Sequence, residues 1–169
     1  MITKTQKHKN TRGFTMIELL VATTLFVVVI GIASGLFIQS LRSQRATMAL
    51  MAANDNASLT LEQMSREIRI GSMFSTNSDG TQLSFTSQRS GAVIYRFDDA
   101  NGLIERNGIA LTSDNVEVVY LYFDLMGEEL GDGQSTRVTI RLGVSANDER
   151  AQDIVTRLQT TVSSRQLDT

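Results

Sequence analysis

The N-terminal region of this chain is built around the stretch GFTMIELL, residues 13–20, which opens a long uncharged segment. No Asp, Glu, Lys or Arg occurs from residue 19 to residue 41, a run of 23 residues. As an α-helix this run is about 34 Å long, enough to cross a bilayer core of about 30 Å. The sequence therefore predicts a membrane-spanning helix that begins beside one carboxylate, that of Glu18.

Glu18 needs an explanation because a carboxylate at the bilayer centre costs on the order of 3 kcal/mol. We expect a nearby cation to neutralise it, since an unpaired charge is costly in a medium of low dielectric constant. If the chain begins at Phe14, its own amine lies near Glu18, and the amine of an axially offset neighbour is equally within reach. The alternative is a carboxylate at the membrane interface that extends into water.

The charges on either side of the apolar run are asymmetric. Four basic residues and no acid precede it, whereas only Arg42 and Arg45 follow it closely. The four are Lys4, Lys7, Lys9 and Arg12. This imbalance favours a cytoplasmic N-terminus and export of the remainder. Residues 14–169 contain 12 Arg, 18 acidic residues and no lysine, which gives a net charge of −6.

The basic leader, Gly13, Phe14, Glu18 and the apolar run together resemble the N-terminus of type IV prepilins and type II secretion pseudopilins. The resemblance implies that a prepilin peptidase cuts between Gly13 and Phe14 and methylates the new amine of Phe14. It also implies that Glu18 pairs with the amine of a neighbouring subunit in a filament. The implied location is the bacterial inner membrane, with the head outside the cytoplasm, and then a pilus or pseudopilus.

The resemblance further implies a set of partners: other pilins or pseudopilins, the inner-membrane assembly machinery and membrane lipid. Residues 59–70 resemble the stem of J-type minor pseudopilins, which favours a minor subunit near the filament tip. Other interpretations are a secretory signal cut near Ala33-Ser34-Gly35 and a signal anchor that is never cut. The alternative function is a membrane-anchored binding module, an adhesin or DNA-uptake receptor, that never polymerises.

A stripe of residues that are apolar except for Asn54 follows the membrane run and predicts that the helix continues to about Ile70. Its members recur at spacings of three and four, which places them on one helical face. They are Leu50, Asn54, Ala57, Leu61, Met64 and Ile68. Gly71 is expected to end the helix as its C′ residue. The shortness of the stripe favours packing against strands over a free coiled coil.

Period-two patterns replace the helical one in the last hundred residues and predict strands. The predicted strands are 83–85, 93–97, 102–106, 109–111, 116–125, 138–144 and 154–162, with a helix as an alternative for 151–158. Asn107-Gly108 is a hairpin signal, and 116–125, apolar on both faces, is expected to be a central strand. The predicted fold is α+β, a long helix packed on an antiparallel sheet.

The predicted domain organisation has four parts. Residues 1–13 form the cleaved leader, 14–41 the membrane and assembly helix, 42–70 the amphipathic stem, and 71–169 the β-rich head. The chain has no Cys, and its single His, His8, lies in the leader. Because residues 14–169 therefore lack thiolate and imidazole groups as well as lysine amines, we expect no enzymatic activity and no resident cofactor.

An acidic, glycine-containing loop is the remaining candidate for a binding site. Asp124, Glu128, Glu129 and Asp132 supply oxygen ligands of the kind that calcium prefers. Their spacing does not match an EF-hand, and the alternative is a solvated loop between two strands. Direct binding to nucleic acid is not expected, because residues 14–169 are acidic and their arginines are scattered along the sequence.

Overall fold

A computed structural model describes residues 13–127, 135–148 and 151–165. These residues form one helix and eight strands, and the chain divides into two compact units between Ser43 and Gln44. The elements are α1 (Met16–Arg69), β1 (Gly71–Thr76), β2 (Gln82–Ser87), β3 (Gly91–Asp98), β4 (Leu103–Arg106), β5 (Ile109–Ala110), β6 (Val116–Met126), β7 (Arg137–Ala146) and β8 (Thr156–Ser163).

The first unit contains the N-terminal part of α1, whose side chains are exposed. Within α1 an 18-residue window reaches a mean hydropathy of 2.5, and none of that window is buried. By length and composition, α1 is long and apolar enough to cross a membrane. An exposed apolar surface of this extent is unfavourable in water and calls for lipid or protein around it.

The second unit has a core to which the C-terminal part of α1 contributes one face. Buried helix residues recur at spacings of three and four, as the sequence predicted. They are Ala53, Ala57, Thr60, Leu61, Met64 and Ile68. Two members of the predicted stripe, Leu50 and Asn54, are only half-buried. The helix is thus packed against the strands, and the prediction of an α+β fold is confirmed.

The first sheet, sheet A, is an antiparallel meander in the order β1-β2-β3-β4-β5. Successive strands pair through short turns, so each pairing is local in sequence. The predicted hairpin at Asn107-Gly108 is confirmed, because it joins β4 to β5 and both residues have positive φ, 52° and 79°. That conformation matches the right-handed twist of the strands it connects.

The second sheet, sheet B, has three antiparallel strands in the order β6-β7-β8. The sequence led us to expect a single sheet with 116–125 at its centre, and this was wrong. β7 occupies the centre, whereas β6 lies at one edge with alternating buried and exposed side chains. Two backbone N–H groups on that edge nonetheless have hydrogen-bond partners. Val118 donates to the carbonyl of Gly102 at 2.8 Å, and Phe123 donates to the carbonyl of Gly80 at 2.7 Å.

Two predictions near the ends of elements also need correction, and one strand was missed. Gly71 does not act as a left-handed C′ residue, because it begins β1 and is not among the glycines with positive φ. A glycine is needed here because a side chain would not fit: an added Cβ at Gly71 would lie 2.6 Å from Cδ2 of Phe85. Strand β1 itself was not predicted. In the last segment the alternative helix over 151–158 is wrong, because a turn at 151–153 precedes strand β8.

Candidate functional site

The N-terminus of α1 is capped by Thr15. Its Oγ1 accepts a hydrogen bond from the backbone N–H of Glu18 at 3.3 Å, and its carbonyl accepts one from Leu19 at 3.2 Å. A threonine three residues before a glutamate is the spacing of a capping box, in which a side chain satisfies a free N–H of the first turn. Sequence reasoning overlooked Thr15, although this spacing was visible in the sequence.

Gly13 and Phe14 lie just before the helix. Met16 is the first helical residue, so the peptide bond between Gly13 and Phe14 lies outside the helical hydrogen-bond ladder. An added Cβ at Gly13 would meet nothing within 4 Å, and the side chain of Phe14 is 76% exposed. A backbone without secondary structure and without a covering side chain is accessible to a protease.

Glu18 lies in the first turn of α1 on an otherwise apolar surface. Its neighbours on this surface include Phe14, Ile17, Val21 and Leu25. Among residues 13–127, 135–148 and 151–165, no cationic side chain forms an ion pair with Glu18. A carboxylate in the first turn interacts favourably with the helix dipole. Its need for a positively charged partner grows once the surrounding apolar surface leaves water.

Residues 8–34 match a family model described as the prokaryotic N-terminal methylation motif. The match includes Gly13, Phe14 and Glu18, the residues singled out by the sequence and by the start of α1.

This is the methylation motif of type IV pilins and pseudopilins.

The motif supports a precursor of the pilin or pseudopilin type that is processed at its N-terminus. The motif implies processing by a prepilin peptidase and assembly with other pilins, and it points to a structural subunit, not an enzyme. Together with the apolar part of α1, it fits anchoring in the inner membrane. No curated protein and no solved structure matches the chain.

The acidic loop considered for calcium is only partly within the described residues. Asp124 lies on β6, where its carboxylate forms an ion pair with Arg141 of β7 at 2.8 Å. Glu128, Glu129 and Asp132 fall outside the described residues. Within the described ranges, no group of three or more His, Cys, Asp or Glu side chains is arranged to hold a metal ion. The one described member of the loop is therefore already paired with a cation.

Proposed function

We propose that this chain is a minor pilin or pseudopilin, a subunit of a type IV pilus or type II secretion filament. In this proposal the leader, residues 1–13, stays in the cytoplasm until prepilin peptidase cuts after Gly13 and methylates the amine of Phe14. The apolar helix, residues 14–41, holds the precursor in the inner membrane, with the remainder exported. The inner-membrane assembly machinery then transfers the helix from lipid into a bundle of neighbouring helices.

The observation that carries this proposal is the position of Glu18. It is the only charged residue between Gly13 and Arg42, and it lies in the first turn of a helix whose surrounding side chains are exposed and apolar. In a helix that served only as an anchor, a neutral residue at this position would enter the bilayer at a lower free-energy cost than a carboxylate. An acid four residues after Phe14 is useful if it meets a positively charged amine on an adjoining subunit.

The helical stem and the β-rich head favour a minor subunit over the bulk subunit. Residues 42–70 include the buried face that joins α1 to the sheets, and residues 71–169 contain all eight described strands. The resemblance of residues 59–70 to the stem of J-type minor pseudopilins favours a position near the tip of the filament. There it would contact other pilins through its N-terminal helix.

Mass spectrometry of the N-terminus of the chain, purified from its native host, tests processing. The expected peptide begins at N-methylated Phe14 and lacks residues 1–13. A functioning filament that contains the chain with Met1 still attached would refute the cleavage. Replacing Gly13 by a bulkier residue is expected to leave the leader in place, because the peptidase must approach the backbone at this position closely.

Glu18→Gln tests assembly, because it removes the charge while keeping the size of the side chain. We expect Glu18→Gln to be processed normally and to enter filaments at a level reduced by about tenfold or more, as measured by immunoblotting of sheared filaments. Glu62→Gln is the matched control, since Glu62 is an exposed glutamate on the same helix. Undiminished assembly and secretion in Glu18→Gln would instead favour an anchored module that does not polymerise.

A further inference from the structure

The outer face of sheet B carries two tyrosines and two arginines side by side. Tyr120 and Tyr122 of β6 stack with ring centroids 5.9 Å apart, and the guanidinium of Arg141 lies 5.9 Å from the centroid of the Tyr122 ring. These three residues and Arg157 of β8 line a cleft of about 480 Å³. We call Tyr120, Tyr122, Arg141 and Arg157 the tyrosine–arginine face.

The strand register explains why these side chains meet. Tyr122 pairs with Arg141 across the ladder, and Tyr120 pairs with Gly143, which in turn pairs with Arg157. Because Gly143 has no side chain, the ring of Tyr120 occupies the space above it: an added Cβ would lie 2.3 Å from Cε1 of Tyr120. The ring therefore lies over the central strand, and it lines the cleft together with Arg157.

The charge of this surface is opposite to that of the chain as a whole. On the outer face between Tyr120 and Met126, the described charged residues are three arginines and one aspartate. They are Arg137, Arg141, Arg157 and Asp124. Among the described residues, Arg141 forms an ion pair with Asp124, and neither Arg137 nor Arg157 forms one with another described residue. Residues 14–169 nevertheless carry a net charge of −6.

We propose that the tyrosine–arginine face is a docking surface for an acidic polypeptide segment of another protein. Tyrosine and arginine are enriched at the energetically dominant positions of protein interfaces, where the ring supplies buried area and the guanidinium binds carboxylates. Arg157 and Arg137 match acidic side chains on the partner, and the exposed ring of Tyr122 matches an apolar group between them. This proposal is independent of the pairing of Glu18 in the membrane.

A nucleic acid offers the same combination of negative charge and planar groups, but the charge balance disfavours it. Affinity for nucleic acid comes largely from neutralising many phosphates, and this face has an excess of only two positive charges. The net charge of −6 on residues 14–169 repels a long polyanion approaching from solution. A polypeptide with a few local acidic residues meets less of this repulsion.

The test is photo-crosslinking of the full-length chain in its native host, with p-benzoylphenylalanine at position 122 in place of Tyr122. Ile94→p-benzoylphenylalanine is the matched control, since Ile94 lies on β3 of sheet A and has the same 42% exposure as Tyr122. We expect a product at position 122 only, with the crosslinked partner residue mapped by mass spectrometry to an acidic segment. No product above the Ile94 control, or a product with nucleic acid or lipid, overturns the proposal.

Charge reversal then decides whether the contact is electrostatic. Arg157→Glu is expected to lower the crosslinking yield at position 122 by about tenfold, and Gln159→Glu in the same cleft by several-fold. Changing the mapped acidic residues of the partner to arginine is expected to restore the yield with Arg157→Glu. Gln159→Glu leaves every arginine in place, so it still gives an answer if Arg157→Glu folds poorly. An unchanged yield in the folded variants contradicts the proposal.

Discussion

The carboxylate of Glu67 on α1 accepts two hydrogen bonds from the guanidinium of Arg106 on β4, from Nε at 3.0 Å and from Nη2 at 2.9 Å. The hydroxyl of Tyr95 on β3 donates a third, at 2.6 Å. The side chains of Glu67 and Arg106 are only 21% and 25% exposed. This network attaches the last turns of the helix to sheet A with fixed geometry, which apolar packing alone does not provide.

Arg106→Ala is expected to lower the free energy of unfolding by about 1–3 kcal/mol, because it leaves the largely buried carboxylate of Glu67 without its cation. Arg66→Ala is the matched control on α1. Its partner is Glu62, and the side chains of that pair are 76% and 55% exposed, so its loss should change stability by less than about 1 kcal/mol. Urea unfolding in detergent micelles, followed by near-UV circular dichroism, measures both. Equal losses of stability in Arg106→Ala and Arg66→Ala would contradict a larger contribution from the ion pair of Glu67 and Arg106.

The same carboxylate predicts a loss of stability in acid. Burial raises the pKa of Glu67, but hydrogen bonds from Arg106 and Tyr95 and the charge of Arg106 outweigh it and hold the pKa below its usual value of 4.5. A lowered pKa contributes stability that is present above pH 4.5 and is lost as the pH falls through the folded-state pKa. Glu67→Gln should therefore show a weaker decline in thermal midpoint between about pH 5 and pH 3 than the unmodified chain. An identical decline in Glu67→Gln and the unmodified chain would contradict the lowered pKa of Glu67.

Replacing Met64 or Met51 of α1 by alanine is expected to lower stability by very different amounts. Met64 is fully buried against the sheets, whereas Met51 is 61% exposed. Met64→Ala should destabilise the head by about 2–5 kcal/mol through lost apolar contacts and the remaining cavity. Met51→Ala should change stability by less than about 0.5 kcal/mol in detergent, as for other exposed positions. The thermal midpoint of the detergent-solubilised monomer distinguishes the two.

The distribution of lysine predicts the result of amine labelling. Every lysine in the sequence precedes Gly13, so a chain that begins at Phe14 retains no lysine through residue 169. Amine-directed labelling of protein from filaments should modify the N-terminus alone, with methylation reducing its reactivity. Label on Lys4, Lys7 or Lys9 in that material would show that the leader remains attached.

The helix and its buried face could be predicted because periodic spacing is local information. Ala57, Leu61, Met64 and Ile68 follow helical spacing and all are buried. The hairpin at residues 107–108 was equally readable, because its turn requires residues that tolerate positive φ. Gly13, Phe14 and Glu18 were likewise proposed as site residues from local spacing, and their roles stay predictions, whereas the cap formed by Thr15 was overlooked.

The division into two sheets could not be predicted in the same way. β6 lies at the edge of sheet B, and its free edge bonds to the turns at Gly80 and Gly102 and not to another strand. These contacts are distant in sequence, so no local pattern predicts them. Likewise, the network of Glu67 and Arg106 spans 39 residues. The tyrosine–arginine face gathers residues from three strands, so arginines that look scattered in sequence share one surface only after the register is known.

The two residues that follow β8 are hydrogen-bonded to the end of α1 and the start of β1, distant parts of the chain. The buried hydroxyl of Ser164 donates to the carbonyl of Gly71 at 2.8 Å across 93 residues, and the N–H of Arg165 donates to the carbonyl of Arg69 at 3.0 Å. The hairpins of sheet A are local in sequence, whereas these two hydrogen bonds require the segment that follows β8, so we expect the core of the head to close only once that segment is present. A chain truncated after residue 155, and so lacking β8, should therefore yield a head that proteases degrade rapidly.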